Sequence, residues 1–190
     1  MSLLSHFVTD RLRFGLTADA LVERAVRAAR QGVSAIQIRE RDLPDRDLDA
    51  LVRQVIRAVA STSAIVLVND RVDVAIAAGA AGVHLRGDSL PGRRVRAMTP
   101  PGFVIGRSVH DLDDVNAAVA EGAYHYLLFG TVFPSAGKPP GHRVAGLDAL
   151  REVCRRSPVP VIAIGGIDPS RVPLVEAAGA AGFAAIGMFG

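Results

Sequence analysis

A histidine follows a short apolar run in VIGRSVHDLDD, residues 104–114. Imidazole titrates close to neutrality, so His110 at the mouth of a buried strand is a candidate proton carrier. Ser108, two residues earlier, adds a hydroxyl that could bind a ligand. The plainer role for His110 is to cap or pack the strand end. A second signature is IQIRERDLP, where Arg39 and Arg41 alternate. In an extended chain, residues i and i+2 point the same way, and guanidiniums grip a carboxylate or phosphate bidentately. Ion pairs with Glu40 or Asp42 would use up the same charges. In VNDRVD, Asn69 and Asp70 could hold a hard cation together with phosphate oxygens, or Asp70 could cap the next helix. In GVHLRGDSLP, His84 reads as a satisfied core histidine, and Asp88 and Ser89 open a loop. The pair Gly165–Gly166 in AIGGIDPSR lets backbone N–H groups approach an anion. The 22 basic residues include a single lysine, Lys138, set in the Gly/Pro-rich stretch PSAGKPPG.

These residues need elements to position them. Residues 28–40, 75–87, 118–130 and 175–187 read alike: an Ala-rich helix end, a glycine, a small or β-branched residue, then a short apolar run. Glycine suits the left-handed turn that ends a helix, and the apolar run suits a parallel strand buried on both faces. The pivotal glycines Gly32, Gly79, Gly122 and Gly179 are far enough apart for two strand–helix units each. The intervening strands are expected at 64–68, 103–106 and 160–164, with a first strand at 6–9. Eight strands alternating with helices predict an α/β fold, a single (β/α)8 TIM barrel over residues 1–190. The chain is short for this fold, and Gly190 follows the eighth strand so closely that the last helix is expected to be missing or replaced. Chemistry in such barrels lies at the C-terminal ends of the strands, with phosphate after strands 7 and 8. That gathers Arg39, Asn69, His110, Gly165, Gly166 and Gly187 at one mouth.

Composition narrows the partners. The formal net charge is +3, but arginines interleave with acids, as in LVERAVRAAR and REVCRR. That is the pattern of solvated helix faces, and no nucleic acid partner is expected. No apolar stretch reaches about 18 residues, so no membrane span is expected. The N-terminal residues lack the basic start and long apolar region of a signal peptide. Cys154 is the only cysteine, so no intramolecular disulfide is possible. A cytoplasmic address is expected. A barrel wall left open beside strand 8 would need cover, so a homo-oligomer is expected too.

The strings IQIRERDL, LVNDRVDVAIAAGAAGVHL, IGRSVH, LLFGTVFPSAGK and PVIAIGGI, in this order, resemble the thiamine phosphate synthase and TenI superfamily. The resemblance runs from about residue 6 to residue 187. It implies a (β/α)8 barrel acting on a small-molecule thiazole phosphate in thiamine biosynthesis or salvage. The synthase branch joins a pyrimidine diphosphate to a thiazole phosphate with Mg²⁺. The TenI branch tautomerises a carboxylated thiazole phosphate with a histidine at the position of His110. Several positions depart from the synthase pattern. Arg41 stands where it has lysine, and Ser89 where it has a second metal-binding aspartate, with Asp88 adjacent. Ser135–Ala136–Gly137–Lys138 replaces Thr-x-Thr-Lys, and Gly187 replaces a serine. Asn69–Asp70 is kept. The losses fall on the diphosphate–metal half of the site. The resemblance therefore points to an isomerase without cofactor, with His110 as acid–base. Gly165, Gly166 and Gly187 would hold the phosphate, Arg39 with Arg41 or Lys138 the carboxylate, and Asn69 and Ser108 other parts of the substrate. Two alternatives stand beside it. One is a synthase using Mg²⁺ on Asp70 and Asp88. The other is a non-catalytic phosphate-ligand-binding or regulatory relative.

Overall fold

The computed structural model describes residues 3–135, 139 and 141–189. Its strands and helices alternate as the repeats predict: β1 (Leu4–Val8), α1 (Ala18–Arg30), β2 (Ala35–Ile38), α2 (Asp45–Val59), β3 (Ile65–Asn69), α3 (Val72–Ala78), β4 (Gly82–Leu85) and α4 (Gly92–Met98). There follow β5 (Val104–Val109), α5 (Leu112–Glu121), β6 (Tyr126–Gly130), α6 (Gly146–Arg156), β7 (Val161–Ile164), α7 (Val172–Ala177) and β8 (Gly182–Ala185). Each strand pairs in parallel with the next, and β8 pairs with β1, closing the barrel.

The helices form where apolar residues recur every three or four positions. In α2 these are Leu48, Leu51, Val52, Val55 and Val59, all buried. Helix α1 begins at Thr17, whose hydroxyl accepts from the Ala20 N–H. The repeat glycines end helices as expected: Gly79 (φ +74°) and Gly122 (φ +63°) take the left-handed conformation directly after α3 and α5. The larger apolar cluster fills the layer between sheet and helices. A smaller one, built on Val8, Leu67, Leu128, Ile162 and Ala184, fills the barrel.

Three boundaries differ from the sequence reading. Strand β1 starts at Leu4 because Leu4 pairs with Gly182 of β8. Strand β3 runs on to Asn69. Strand β5 extends to Val109, so Arg107 and Ser108 belong to the strand and not to the loop after it. The ladder to β6 continues through Val109 opposite Phe129, and main-chain pairing is indifferent to polar side chains.

Among the described residues no helix follows β8. The wall beside β8 is not bare, which corrects the expectation of an open side there. Phe189 stacks on Phe183 with centroids 6.0 Å apart and meets Phe7 edge-on at 5.9 Å. Arg24 of α1 ties this segment down, its Nε donating to the Phe189 carbonyl at 2.7 Å and Nη2 to the Ile186 carbonyl at 3.2 Å. Among the described residues no helix is long and apolar enough to cross a membrane.

Candidate active site

The barrel mouth holds a cavity of about 930 Å³. Strand alternation decides what enters it. In β2 the inward residue Gln37 is followed, two and four positions on, by Arg39 and Arg41, and all three line the cavity. The acids named as their alternative partners are taken by Arg11 instead. Its guanidinium pairs with Asp42 and lies 3.8 Å from Glu40, and its N–H donates to the Glu40 carboxylate at 3.1 Å. Arg39 keeps one loose partner, Asp10 at 3.7 Å. Arg41 has no ion pair among the described residues. Burial, then the charges of Arg41 and, more weakly, Arg86, pull the Arg39 pKa down. Like charges crowded on a cavity wall are relieved by an anion.

His110 is the first residue beyond β5, and a double cap fixes its backbone. Asp111 caps α5 by accepting from the Asp114 N–H at 2.9 Å, and Asp114 accepts from the His110 N–H at 2.8 Å. The ring lines the cavity. Its Nδ1 lies 2.6 Å from the Gly130 carbonyl at the end of β6. A carbonyl only accepts, so Nδ1 carries the proton, and in the neutral ring Nε2 is left with a lone pair. Nε2 has no partner among the described residues, so the imidazole is set up as a base.

Ser108 lies one alternation before His110 on the inward face. Its hydroxyl is 2.8 Å from His84 Nε2, and His84 Nδ1 is 2.9 Å from the Tyr126 hydroxyl. His84 is thus the satisfied core histidine of the sequence reading, yet it also touches the cavity floor. Burial, reinforced by the charges of His6 and Arg107, lowers its pKa to about 3, so the ring is neutral. Burial pushes the Tyr126 phenol up, and it keeps its proton. With the ring neutral, one of its nitrogens donates and the other accepts, so Tyr126, His84 and Ser108 form a chain of hydrogen bonds that ends in a hydroxyl at the cavity. The Tyr126 ring fits because Gly106 faces it: a Cβ there would lie 2.1 Å from the ring. Asn69, at the end of β3, accepts from Gln37 Nε2 at 2.8 Å and lines the same cavity.

A second, adjoining cavity of about 490 Å³ is lined by Gly165, Gly166, Gly187 and Arg13. Gly165 (φ +104°) and Gly166 (φ +64°) are consecutive left-handed residues packed under the loop after β6, and a Cβ on Gly166 would lie 2.3 Å from the Pro134 carbonyl. Such a turn exposes main-chain N–H groups to an anion. Arg13, which the sequence reading passed over, lines both cavities. Lys138 lies outside the described residues.

The residues do not fit a divalent cation. Asp70 does not cap α3, which has no side-chain cap. Its carboxylate accepts from the Ser89 hydroxyl, and the Arg86 guanidinium lies 3.7 Å away. The same guanidinium contacts Asp88 at 2.5 Å. Magnesium needs near-octahedral oxygen ligation with free carboxylates, and here a cation of the chain itself stands between the two. Among the described residues no group of three His, Cys, Asp or Glu side chains could hold a metal. Asp70 is the one non-glycine residue among those described with positive φ, at 66°. That conformation costs about 1 kcal/mol, and the Asp70 N–H holds it by donating to the His84 carbonyl at 2.8 Å.

Fold and mouth together define a (β/α)8 barrel whose strand C-termini converge on a basic, anion-receptive cavity. The thiamine monophosphate synthase family model matches residues 5–189, and the chain belongs to that family. It is 42% identical over 159 residues to a thiamine-phosphate synthase of Methanoculleus marisnigri, across 84% of this chain and 75% of that protein. A thiamine-phosphate synthase of Methanocella arvoryzae is 40% identical over 185 residues, across 95% and 84%. A thiamine phosphate pyrophosphorylase structure from Pyrococcus furiosus superposes with a TM-score of 0.84 at 33% identity, over 97% of this chain and 85% of that one. A 3-hexulose-6-phosphate synthase structure, 20% identical with a TM-score of 0.73, shares the fold.

Proposed function

We propose that the chain is an enzyme of thiamine biosynthesis that binds a thiazole phosphate and tautomerises its carboxylated form to the aromatic ring. The observation that carries this reading is His110, a residue of the cavity wall whose Nδ1–H is held by the Gly130 carbonyl, so that Nε2 of the neutral ring is the basic nitrogen. Tautomerisation breaks one C–H bond and forms another at the far end of the conjugated system. No atom is gained and no electron leaves, so one base that becomes an acid suffices. The Gly165–Gly166 turn with Arg13 would hold the phosphate, and Arg39 and Arg41 the carboxylate. Ser108 would place its hydroxyl against the substrate.

A second reading, coupling of a pyrimidine diphosphate to the thiazole phosphate, is favoured by the names of the relatives, which are synthases; none of those reported is named a tautomerase. Retention of Asn69–Asp70 also supports it. The arrangement of Arg86, Asp70 and Asp88 speaks against it. The test is turnover of the non-aromatic carboxythiazole phosphate in D₂O. Deuterium at the newly formed C–H bond in the wild type, absent with His110→Asn, supports the tautomerase. Equal deuterium in both removes His110 from the mechanism.

A further inference from the structure

Arg86 is the least expected charge at the mouth. It follows β4, shares the inward alternation of His84, and ends between two carboxylates from different loops. Its Nη1 lies 3.7 Å from Asp70 Oδ2 and its Nη2 lies 2.5 Å from Asp88 Oδ2. Ser89 locks the arrangement from both sides, accepting from the Arg86 N–H at 2.8 Å and donating to Asp70 Oδ1. Asp70 itself is held with φ at 66°, so its carboxylate is aimed and not merely mobile. Asn69, one residue earlier, already has its carbonyl oxygen engaged by Gln37 at 2.8 Å. One oxygen of each carboxylate and the Asn69 amide oxygen thus accept from donors of the chain.

We infer that the Arg86 guanidinium is a built-in cation occupying the place of a divalent metal, so that this mouth meets ligand anions without one. The carboxylates of Asp70 and Asp88 then serve to orient Arg86, not to coordinate an ion. The consequence is a latent metal site: removing the guanidinium leaves the Asp70 and Asp88 carboxylates, which it now bridges, with their repulsion unrelieved. A fixed positive charge a few ångströms from a metal position repels the ion, and its removal should tighten binding at least about tenfold. This inference stands on the geometry alone and holds whether or not His110 moves the proton.

The experiment is titration of the full chain with Mn²⁺, read by loss of the free-ion electron paramagnetic resonance signal. The wild type should show no saturable site at millimolar Mn²⁺. Arg86→Ala and Arg86→Gln should each gain one site, and adding Asp70→Asn to either should abolish it. The Arg86 side chain is 43% exposed, so both variants should keep the wild-type circular dichroism, and the glutamine variant retains most of the packed stem. A saturable wild-type site that Asp70→Asn removes would overturn the inference. Folded Arg86 variants that bind no more Mn²⁺ than the wild type would overturn it equally.

Discussion

The His110 tautomer is set by a main-chain carbonyl, which no substitution can remove. Replacing the ring should therefore separate chemistry from binding. His110→Ala should lower turnover by about 10²–10⁴-fold, the usual contribution of a general acid–base. Affinity for thiazole phosphate should stay within about twofold, as for a group acting only in the transition state. Steady-state kinetics with isothermal calorimetry checks both. His110, Ser108, Arg39 and Arg41 were legible because their types and spacing follow strand alternation. Arg86 and Gln37 obey the same alternation but were missed. In HLRGDS the acid is the plainer signal, and a sequence does not show that an arginine beside it is the shared partner of two carboxylates.

At the level of elements, the loops after β5 and β7 do the positioning. Asp114→Ala removes the acceptor for the His110 N–H and should cost roughly 1 kcal/mol, as loss of a helix cap does. Turnover should fall more than binding, because the ring loses its place. Urea midpoints and kcat against KM separate the two effects. Gly166→Ala would put a Cβ 2.3 Å from the Pro134 carbonyl. It should weaken binding of thiazole phosphate about tenfold or more, by forfeiting several charge-assisted hydrogen bonds, and leave the unphosphorylated thiazole alcohol unaffected. Paired calorimetric titrations check this. The glycine repeat announced these elements, because a helix end, a left-handed turn and a buried strand each leave a local mark. The true end of β5 was hidden, since Arg107 and Ser108 look like loop residues until the β6 ladder is seen.

For the molecule as a whole, the barrel carries two histidines that folding keeps uncharged. Burial lowers His6 to about 4, and burial with neighbouring charge lowers His84 to about 3, from an ordinary 6.5. The unfolded chain binds protons on both rings as pH falls below about 6.5, while the folded chain does not. The contribution of these two rings should thus be level above about pH 7 and fall between about pH 6.5 and 4, by roughly 1 kcal/mol per pH unit for each ring. Urea midpoints across that range test it, and His6→Asn should flatten part of the slope. The closed barrel was readable from eight alternating units. The cover beside β8 was not, because it depends on Arg24 reaching the Phe189 carbonyl across 165 residues of sequence.

The most direct measurement gives the purified chain two substrate sets. One is the non-aromatic carboxythiazole phosphate with a chelator present. The other is pyrimidine diphosphate plus thiazole phosphate with Mg²⁺. The account predicts accelerated aromatisation in the first, lost with His110→Ala, and no diphosphate release in the second. Mg²⁺-dependent diphosphate release, with no aromatisation above the uncatalysed rate, would contradict it.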